Sequence, residues 1–81
     1  MKVHLLFFAV LRDRMRQSEG DFELEPGETV SQLAHRILTP VLGEKHFERS
    51  MMFAVNNEYV PRDYQPKPGE EIALIPPVAG G

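Results

Sequence analysis

Cysteine is absent from this 81-residue chain. Its absence excludes disulfide bonds, cysteine-ligated zinc or iron, and a thiol nucleophile belonging to the chain itself. An excess of positive charge is also absent, because the formal net charge is −3. The only basic cluster is Arg12, Arg14 and Arg16, and Asp13 interrupts it. We therefore expect neither nucleic acid nor an anionic membrane as a partner.

Long hydrophobic runs are missing as well. The most apolar stretch, residues 5–11, is much shorter than a membrane span and leads directly into charged residues. It also lacks the small-residue cleavage pattern of a signal peptide. We interpret it as part of a β-strand and predict a cytoplasmic protein.

The length fits one domain with a modest core, since a chain of this size buries only about 60 to 65% of its unfolded surface. Hydrophobic residues make up 42% and charged residues 26%, a composition typical of a folded globular domain. Such a domain leaves little room for an enclosed active site.

The first third of the chain predicts a strand, a short helix and a second strand. In the strand over residues 2–10, alternation places Val3, Leu5 and Phe7 on one face and His4, Leu6 and Phe8 on the other. The segment AVLRDRMRQSEG then favours a short helix that stops at Gly20. The segment DFELE alternates like a half-exposed strand, with Phe22 and Leu24 facing inward.

A second helix has the clearest local signal. A Pro26-Gly27 turn is followed by Thr29 and Gln32, the spacing of a capping box. We expect Pro40 to end this helix. One apolar stripe follows the cap at helical spacing, formed by Val30, Leu33, Ala34, Ile37 and Leu38.

Three further strands are predicted in MMFAV, EYV and EIALI. Asn56-Asn57 suits the positive φ of a tight turn, Pro68-Gly69 is a second turn, and residues 41–50 have no predicted conformation. This element order predicts an α+β domain with a helix on one face of a mixed sheet. Phe8 and Ile75 then fall on the uncovered face, where exposed apolar surface usually marks partner binding.

The last six residues predict an extended tail, so we divide the chain into a domain of residues 1–75 and a tail of residues 76–81. Pro76 and Pro77 fix their φ angles, lack N–H donors and direct the chain out of the sheet. The tail can span roughly 20 Å. Its final residues, Val78, Ala79, Gly80 and Gly81, are small enough for a narrow channel. A terminal carboxylate is a poor electrophile, so its chemical use requires activation, for which adenylation by ATP is the usual route.

Four segments together resemble one family: LLFFAVLR, PGETVSQL, AVNNEYV and PGEEIALIPPVAGG. They are similar to the small subunit of molybdopterin synthase, the MoaD type of ubiquitin-like sulfur carrier. The resemblance spans nearly the whole chain, and the PPVAGG ending combined with FFAVLR is its most specific part. Ala79 stands where that family often has Ser or Thr.

The resemblance implies a β-grasp fold and a C-terminal Gly81 that an E1-like enzyme adenylates with ATP and a sulfur donor enzyme converts to a thiocarboxylate. It implies insertion of the tail into a large catalytic subunit, where the sulfur passes to precursor Z, in a complex of two small and two large subunits. Phe8 and Ile75 correspond to its hydrophobic contact surface, and Arg12 to a basic position near the tail. The other implied contacts are along the tail, at Pro76, Pro77, Val78, Ala79 and Gly80.

Other functions stay open at this point. A Gly-Gly carrier can also serve thiamin thiazole synthesis, tRNA thiolation or protein conjugation. An independent enzyme would have to use His4, His35 or His46, whose spacing matches no ligand motif, so we expect no metal site and no bound cofactor. A plain interaction module would function without Gly81, whereas a carrier would not.

Overall fold

The computed structural model describes residues 1–43 and 51–77. Seven elements follow the predicted order of strand, short helix, strand, helix and three strands. Among the described residues, neither helix combines the length and apolarity that crossing a membrane requires. The elements are β1 (Lys2–Phe7), α1 (Ala9–Met15), β2 (Glu19–Glu23), α2 (Val30–Leu42), β3 (Met52–Val55), β4 (Glu58–Val60) and β5 (Glu71–Ile75).

The five strands form one mixed sheet, as predicted, in the order β2-β1-β5-β3-β4. The central strand β5 is parallel to its neighbour β1, and Phe7 pairs with Leu74. The other three pairings are antiparallel. Because β1 and β5 run in the same direction, the chain leaves both strands at the same edge of the sheet.

The core lies between α2 and one face of the sheet, and it confirms the predicted alternation. Val3, Leu5 and Phe7 are at most 2% exposed, and Ile72 and Leu74 are fully buried. Phe22 and Ile37 are partly buried against this core. The remaining core residues are Leu11, Leu24, Val30, Leu33, Ala34, Leu38, Met51, Phe53 and Val55.

The predicted capping box begins α2. The Gln32 backbone N–H donates to Thr29 Oγ1 at 3.1 Å, and the Thr29 N–H donates to Gln32 Oε1 at 2.9 Å. The prediction that Pro40 ends this helix is wrong, because α2 continues to Leu42. Proline removes only the donor to the carbonyl four residues earlier, a small loss in the last turn of a helix. The helix ends instead at Gly43, which has a φ of +86°.

The segment around α1 departs from two predictions. Strand β1 ends at Phe7, not at residue 10, because Phe8 is the N-cap of α1 and Ala9 has a φ of +50°. Helix α1 ends where Arg16 takes the left-handed conformation. The predicted stop at Gly20 is therefore wrong. Gly20 lies in β2, where a Cβ atom would approach the Phe22 ring to 3.2 Å, so crowding explains the glycine there.

An ion pair fixes α2 to the loop that follows β2. Arg36 donates to both carboxylate oxygens of Glu28, at 2.8 and 2.9 Å, and to the Glu23 carbonyl at 2.7 Å. Glu28 is only 9% exposed and also accepts the Glu25 N–H. The hydrogen bonds from Arg36 hold the pKa of Glu28 below its ordinary value. This pair therefore sets the position of the helix over the sheet edge.

The predicted Asn56-Asn57 turn joins β3 to β4. Both residues have positive φ, +52° and +69°, and Val55 pairs with Glu58 across the two-residue loop. Asparagine tolerates this conformation better than most residues, which is why the pair marks the turn in the sequence.

Candidate docking surface at the base of the tail

The candidate site lies at the edge where β1 and β5 both end. Parallel pairing of Phe7 with Leu74 brings the following residues, Phe8 and Ile75, to the same edge. Met52 joins them from β3, since it pairs with Ile75. The start of the tail, Pro76, follows directly.

The predicted placement of Phe8 and Ile75 away from the core is confirmed. Phe8 is 44% exposed, and Ile75 is half-buried on a strand whose inward residues are Ile72 and Leu74. Phe8 occupies the N-cap of α1 without making a side-chain cap hydrogen bond. The partner-binding role of these two residues stays a prediction.

Apolar side chains continue from these two residues across the outer face of the sheet. Sequence alternation places Leu6 on the face of Phe8 and Ala73 on the face of Ile75, but it named only Phe8 and Ile75 as contact residues. Met52 and Ala54 were missed, although alternation in β3 carried their signal. Tyr59, on the edge strand β4, is 67% exposed and pairs with Ala54. We call six residues of this face, without Tyr59, the outer apolar strip: Leu6, Phe8, Met52, Ala54, Ala73 and Ile75.

A shallow pocket of about 250 Å³ opens beside Phe8, and we call it the Phe8 pocket. Arg12 lies on α1, four residues after Phe8, and its side chain forms no ion pair with any residue in the described ranges. The structure thus brings Arg12 and Phe8 together. The pocket is lined by Leu6, Phe7, Phe8, Arg12, Ser18 and Glu19.

His4 bridges two carboxylates on the polar side of the same face. Its Nδ1 lies 2.7 Å from Asp21 Oδ1, and its Nε2 lies 2.7 Å from Glu19 Oε1. The hydrogen bonds with Asp21 and Glu19 raise the pKa of His4 above its ordinary value. Sequence reasoning missed this cluster, because residues 15 and 17 positions apart meet only through the pairing of β1 with β2.

The two histidines in the described part of the chain, His4 and His35, lie on different elements and not in one site. His4 lies on β1 and His35 on α2, while His46 lies outside the described residues. Within residues 1–43 and 51–77, no group of three or more histidine, aspartate or glutamate side chains is arranged to hold a metal ion.

The tail is described only at its base. Pro76 is buried and Pro77 is exposed. The predicted contact residues Val78 and Ala79, and the predicted reactive residues Gly80 and Gly81, lie outside the described residues.

Comparison with known proteins identifies the family. The model of the ThiS family matches residues 5–81, nearly the whole chain. The chain belongs to the ThiS family. This ThiS-family chain is also 35% identical to the molybdopterin synthase sulfur carrier subunit of Chlamydomonas reinhardtii, over 100% of both chains. It therefore belongs to the MoaD type of ubiquitin-like sulfur carriers that its sequence motifs resemble.

Solved structures agree with this assignment. A putative molybdopterin converting factor subunit 1 from Pyrococcus furiosus is 28% identical to the ThiS-family chain, covers 96% of it and 99% of its own length, and superposes with a TM-score of 0.77. A ubiquitin from Caldiarchaeum subterraneum is 15% identical, covers 100% of this chain and 98% of its own, and has a TM-score of 0.66. The latter likeness concerns the fold alone, and the fold is the predicted β-grasp.

A third solved structure contains a related chain in a complex. It is the complex of subunits 1 and 2 of the molybdopterin-converting factor from Helicobacter pylori, 24% identical, with full coverage of both chains and a TM-score of 0.64. Subunit 1 of such a factor is thus known to assemble with a second subunit in that organism.

Proposed function

We propose that the chain is the sulfur carrier subunit of molybdopterin synthase and acts in molybdenum cofactor biosynthesis. The observation that carries this proposal is the 35% identity, over the full length of both chains, with a molybdopterin synthase sulfur carrier subunit. The Gly80-Gly81 ending supports it, because an unbranched terminus suits entry into a narrow reactive site.

The proposed chemistry takes place at the carboxylate of Gly81. An E1-like enzyme joins this carboxylate to AMP from ATP and releases pyrophosphate. A sulfur donor enzyme then supplies sulfur at the oxidation level of sulfide, which attacks the acyl carbon, displaces AMP and leaves a thiocarboxylate on Gly81. The chain holds no cofactor in this scheme, and it contributes the carried group and not the catalytic residues.

The proposed acceptor is precursor Z, bound in a large catalytic subunit. We place the contact with that subunit on the outer apolar strip, with Arg12 beside it and the tail, from Pro76 to Ala79, leading into the catalytic site. The location of Phe8 and Ile75 at the edge from which the tail leaves supports this arrangement. The proposed complex contains two small and two large subunits, and its proposed location is the cytoplasm.

The first test is intact mass spectrometry after incubation with the cognate E1-like enzyme, ATP and a sulfur donor. We expect a mass increase equal to the replacement of one oxygen by sulfur. A variant that lacks Gly81 is the matched control: it should keep its fold and its affinity for the large subunit but show no mass increase.

The result that would contradict the proposal is an unchanged mass with an E1-like enzyme proven active on another carrier. In that case the tail would be a docking peptide. Accumulation of covalent adducts with protein amines would instead favour conjugation. A deletion strain distinguishes the pathways, since loss of molybdoenzyme activity with normal thiamin and thiolated tRNA supports the molybdopterin assignment.

A further inference from the structure

The bridge formed by His4 defines the protonation state of its ring. Glu19 and Asp21 are exposed carboxylates, and each has an oxygen 2.7 Å from a different ring nitrogen of His4. An ionised carboxylate only accepts hydrogen bonds, and a neutral imidazole has only one N–H to donate. Two short contacts to two ionised carboxylates are therefore satisfied together only by the doubly protonated imidazolium.

The side chain of Glu19 takes part in two features of the site. Its carboxylate is one end of the His4 bridge, and it also lines the Phe8 pocket. Arg12 lines the same pocket from α1. A carboxylate and a guanidinium on the wall of one small pocket would normally pair, since Arg binds carboxylates through two parallel hydrogen bonds. Here Glu19 is held by His4 instead.

We propose that protonated His4 holds Glu19 away from Arg12 and so keeps the Arg12 guanidinium available to an acidic side chain of a docking protein. Loss of one proton leaves His4 a single N–H donor, and in the tautomer protonated on Nδ1 the bond from Nε2 to Glu19 is lost. Glu19 can then turn across the pocket and pair with Arg12. The proposal rests on the proposed function in one respect: the docking protein is the large subunit of the synthase.

The charged groups around His4 determine the direction of the pH effect. Asp21 and Glu19 face it from β2, Glu71 stands opposite it on β5, and Lys2 is the nearest basic residue on its own strand. The hydrogen bonds with Asp21 and Glu19 favour the charged ring and raise the pKa of His4 above its ordinary value. The bridge is therefore lost as the pH rises through this raised pKa.

The pocket offers a docking protein two kinds of contact. Leu6 and Phe8 supply an apolar wall, and Arg12 supplies a cation at its rim. A glutamate or aspartate side chain next to an aliphatic neighbour fits this combination. Pairing of Arg12 with Glu19 would remove the cation, so the acidic side chain of the docking protein would lose its partner and face the carboxylate of Glu19.

The first experiment is NMR of the free protein between pH 5.5 and 9. We expect the His4 ring to titrate above its ordinary value and the Arg12 Nε–H resonance to move with the same midpoint. The His4→Leu and Glu19→Gln variants should abolish that movement of the Arg12 resonance. Two results would overturn the inference: a titration midpoint of His4 at or below the ordinary pKa of histidine, or an Arg12 resonance that does not move as His4 titrates.

The second experiment measures affinity for the purified large subunit over the same pH range. We expect binding by the parent to weaken about two- to fivefold as His4 deprotonates, the range of an exposed ion pair. Glu19→Gln should bind tightly at every pH and His4→Leu weakly at every pH. The double variant should regain the affinity of Glu19→Gln, since it has no carboxylate to occupy Arg12.

The outcomes separate the two proposals. Binding without pH dependence, or no recovery in the double variant, would overturn the role of His4 and leave the carrier function intact. Absence of binding at any pH would contradict the proposed function, and the NMR titration would then decide by itself whether His4 controls Arg12.

Discussion

At the residue scale, Phe8 occupies the N-cap of α1, a position where helices favour other amino acids. The N-cap of a helix favours Ser, Thr, Asp or Asn, whose side chains accept a hydrogen bond from the first turn. Phe8 makes no such bond and leaves 44% of its side chain exposed. A residue that neither caps its helix nor fills the core is best explained by a contact outside the chain.

Replacement of Phe8 by serine tests this explanation. We expect the free energy of unfolding of Phe8→Ser to stay within about 1 kcal/mol of the parent, because the new cap compensates for the partial loss of apolar contact. Affinity for the large subunit should fall at least about tenfold, as for a central aromatic contact. Chemical denaturation and calorimetry measure the two effects. Destabilisation with unchanged affinity would assign Phe8 to the fold alone.

At the element scale, α2 is defined by its cap and its apolar stripe. The capping box of Thr29 and Gln32 and the buried residues Val30, Leu33 and Leu38 agree with the sequence pattern. Its C-terminal end does not follow the local rule, since Pro40 is tolerated inside the last turn. The start of α2 is thus encoded by side-chain hydrogen bonds, whereas its end is set by Gly43, whose φ is +86°.

Two truncations in α2, one of a buried leucine and one of an exposed valine, test how much the apolar stripe contributes to stability. Leu33 is fully buried, and Leu33→Ala should lower the free energy of unfolding by about 2 to 5 kcal/mol. Val41 lies on the same helix but is 44% exposed, and Val41→Ala should change stability by less than about 0.5 kcal/mol. Urea denaturation of both variants checks this. Equal losses would mean that α2 does not pack as described.

At the scale of the whole molecule, one face of the sheet forms the core and the other carries the proposed docking surface. The inner face and α2 enclose the core, while the outer face combines the outer apolar strip with the His4 bridge. Neighbouring residues of β5 belong to different faces: Leu74 is fully buried, and Ile75 is half-buried on the outer side. The core contact and the proposed partner contact thus lie at alternate positions of the same strand.

An acidic substitution at each of these neighbours should have opposite consequences. Leu74→Asp places a charge in the core and should destabilise the fold by at least about 3 kcal/mol. Ile75→Asp should leave a folded protein whose affinity for the large subunit is lost. Circular dichroism during thermal unfolding and a pull-down with the large subunit distinguish the two. An unfolded Ile75→Asp variant would contradict the separation of the two faces.

The sequence by itself determined the local elements and their faces. Three features depend only on residues that are close in sequence, so they can be predicted without knowledge of the fold. They are the alternation along β1 and β5, the capping box at Thr29 and the Asn56-Asn57 turn. The family also follows from the sequence, because its motifs run the length of the chain. Three boundaries could not be derived in this way. Positive φ at Ala9 and Arg16 decided the end of β1 and the end of α1. The tolerance of proline in a last helical turn let α2 continue past Pro40.

Only the tertiary structure decided which distant residues share a site. Phe8, Arg12 and Glu19 line one pocket because β1 and β2 pair antiparallel and α1 connects them at that edge. His4 meets Glu19 and Asp21 through the same pairing. Sequence periodicity assigns a residue to one face of its strand. The register between strands decides which residues of neighbouring strands lie side by side, and register is a property of the whole sheet.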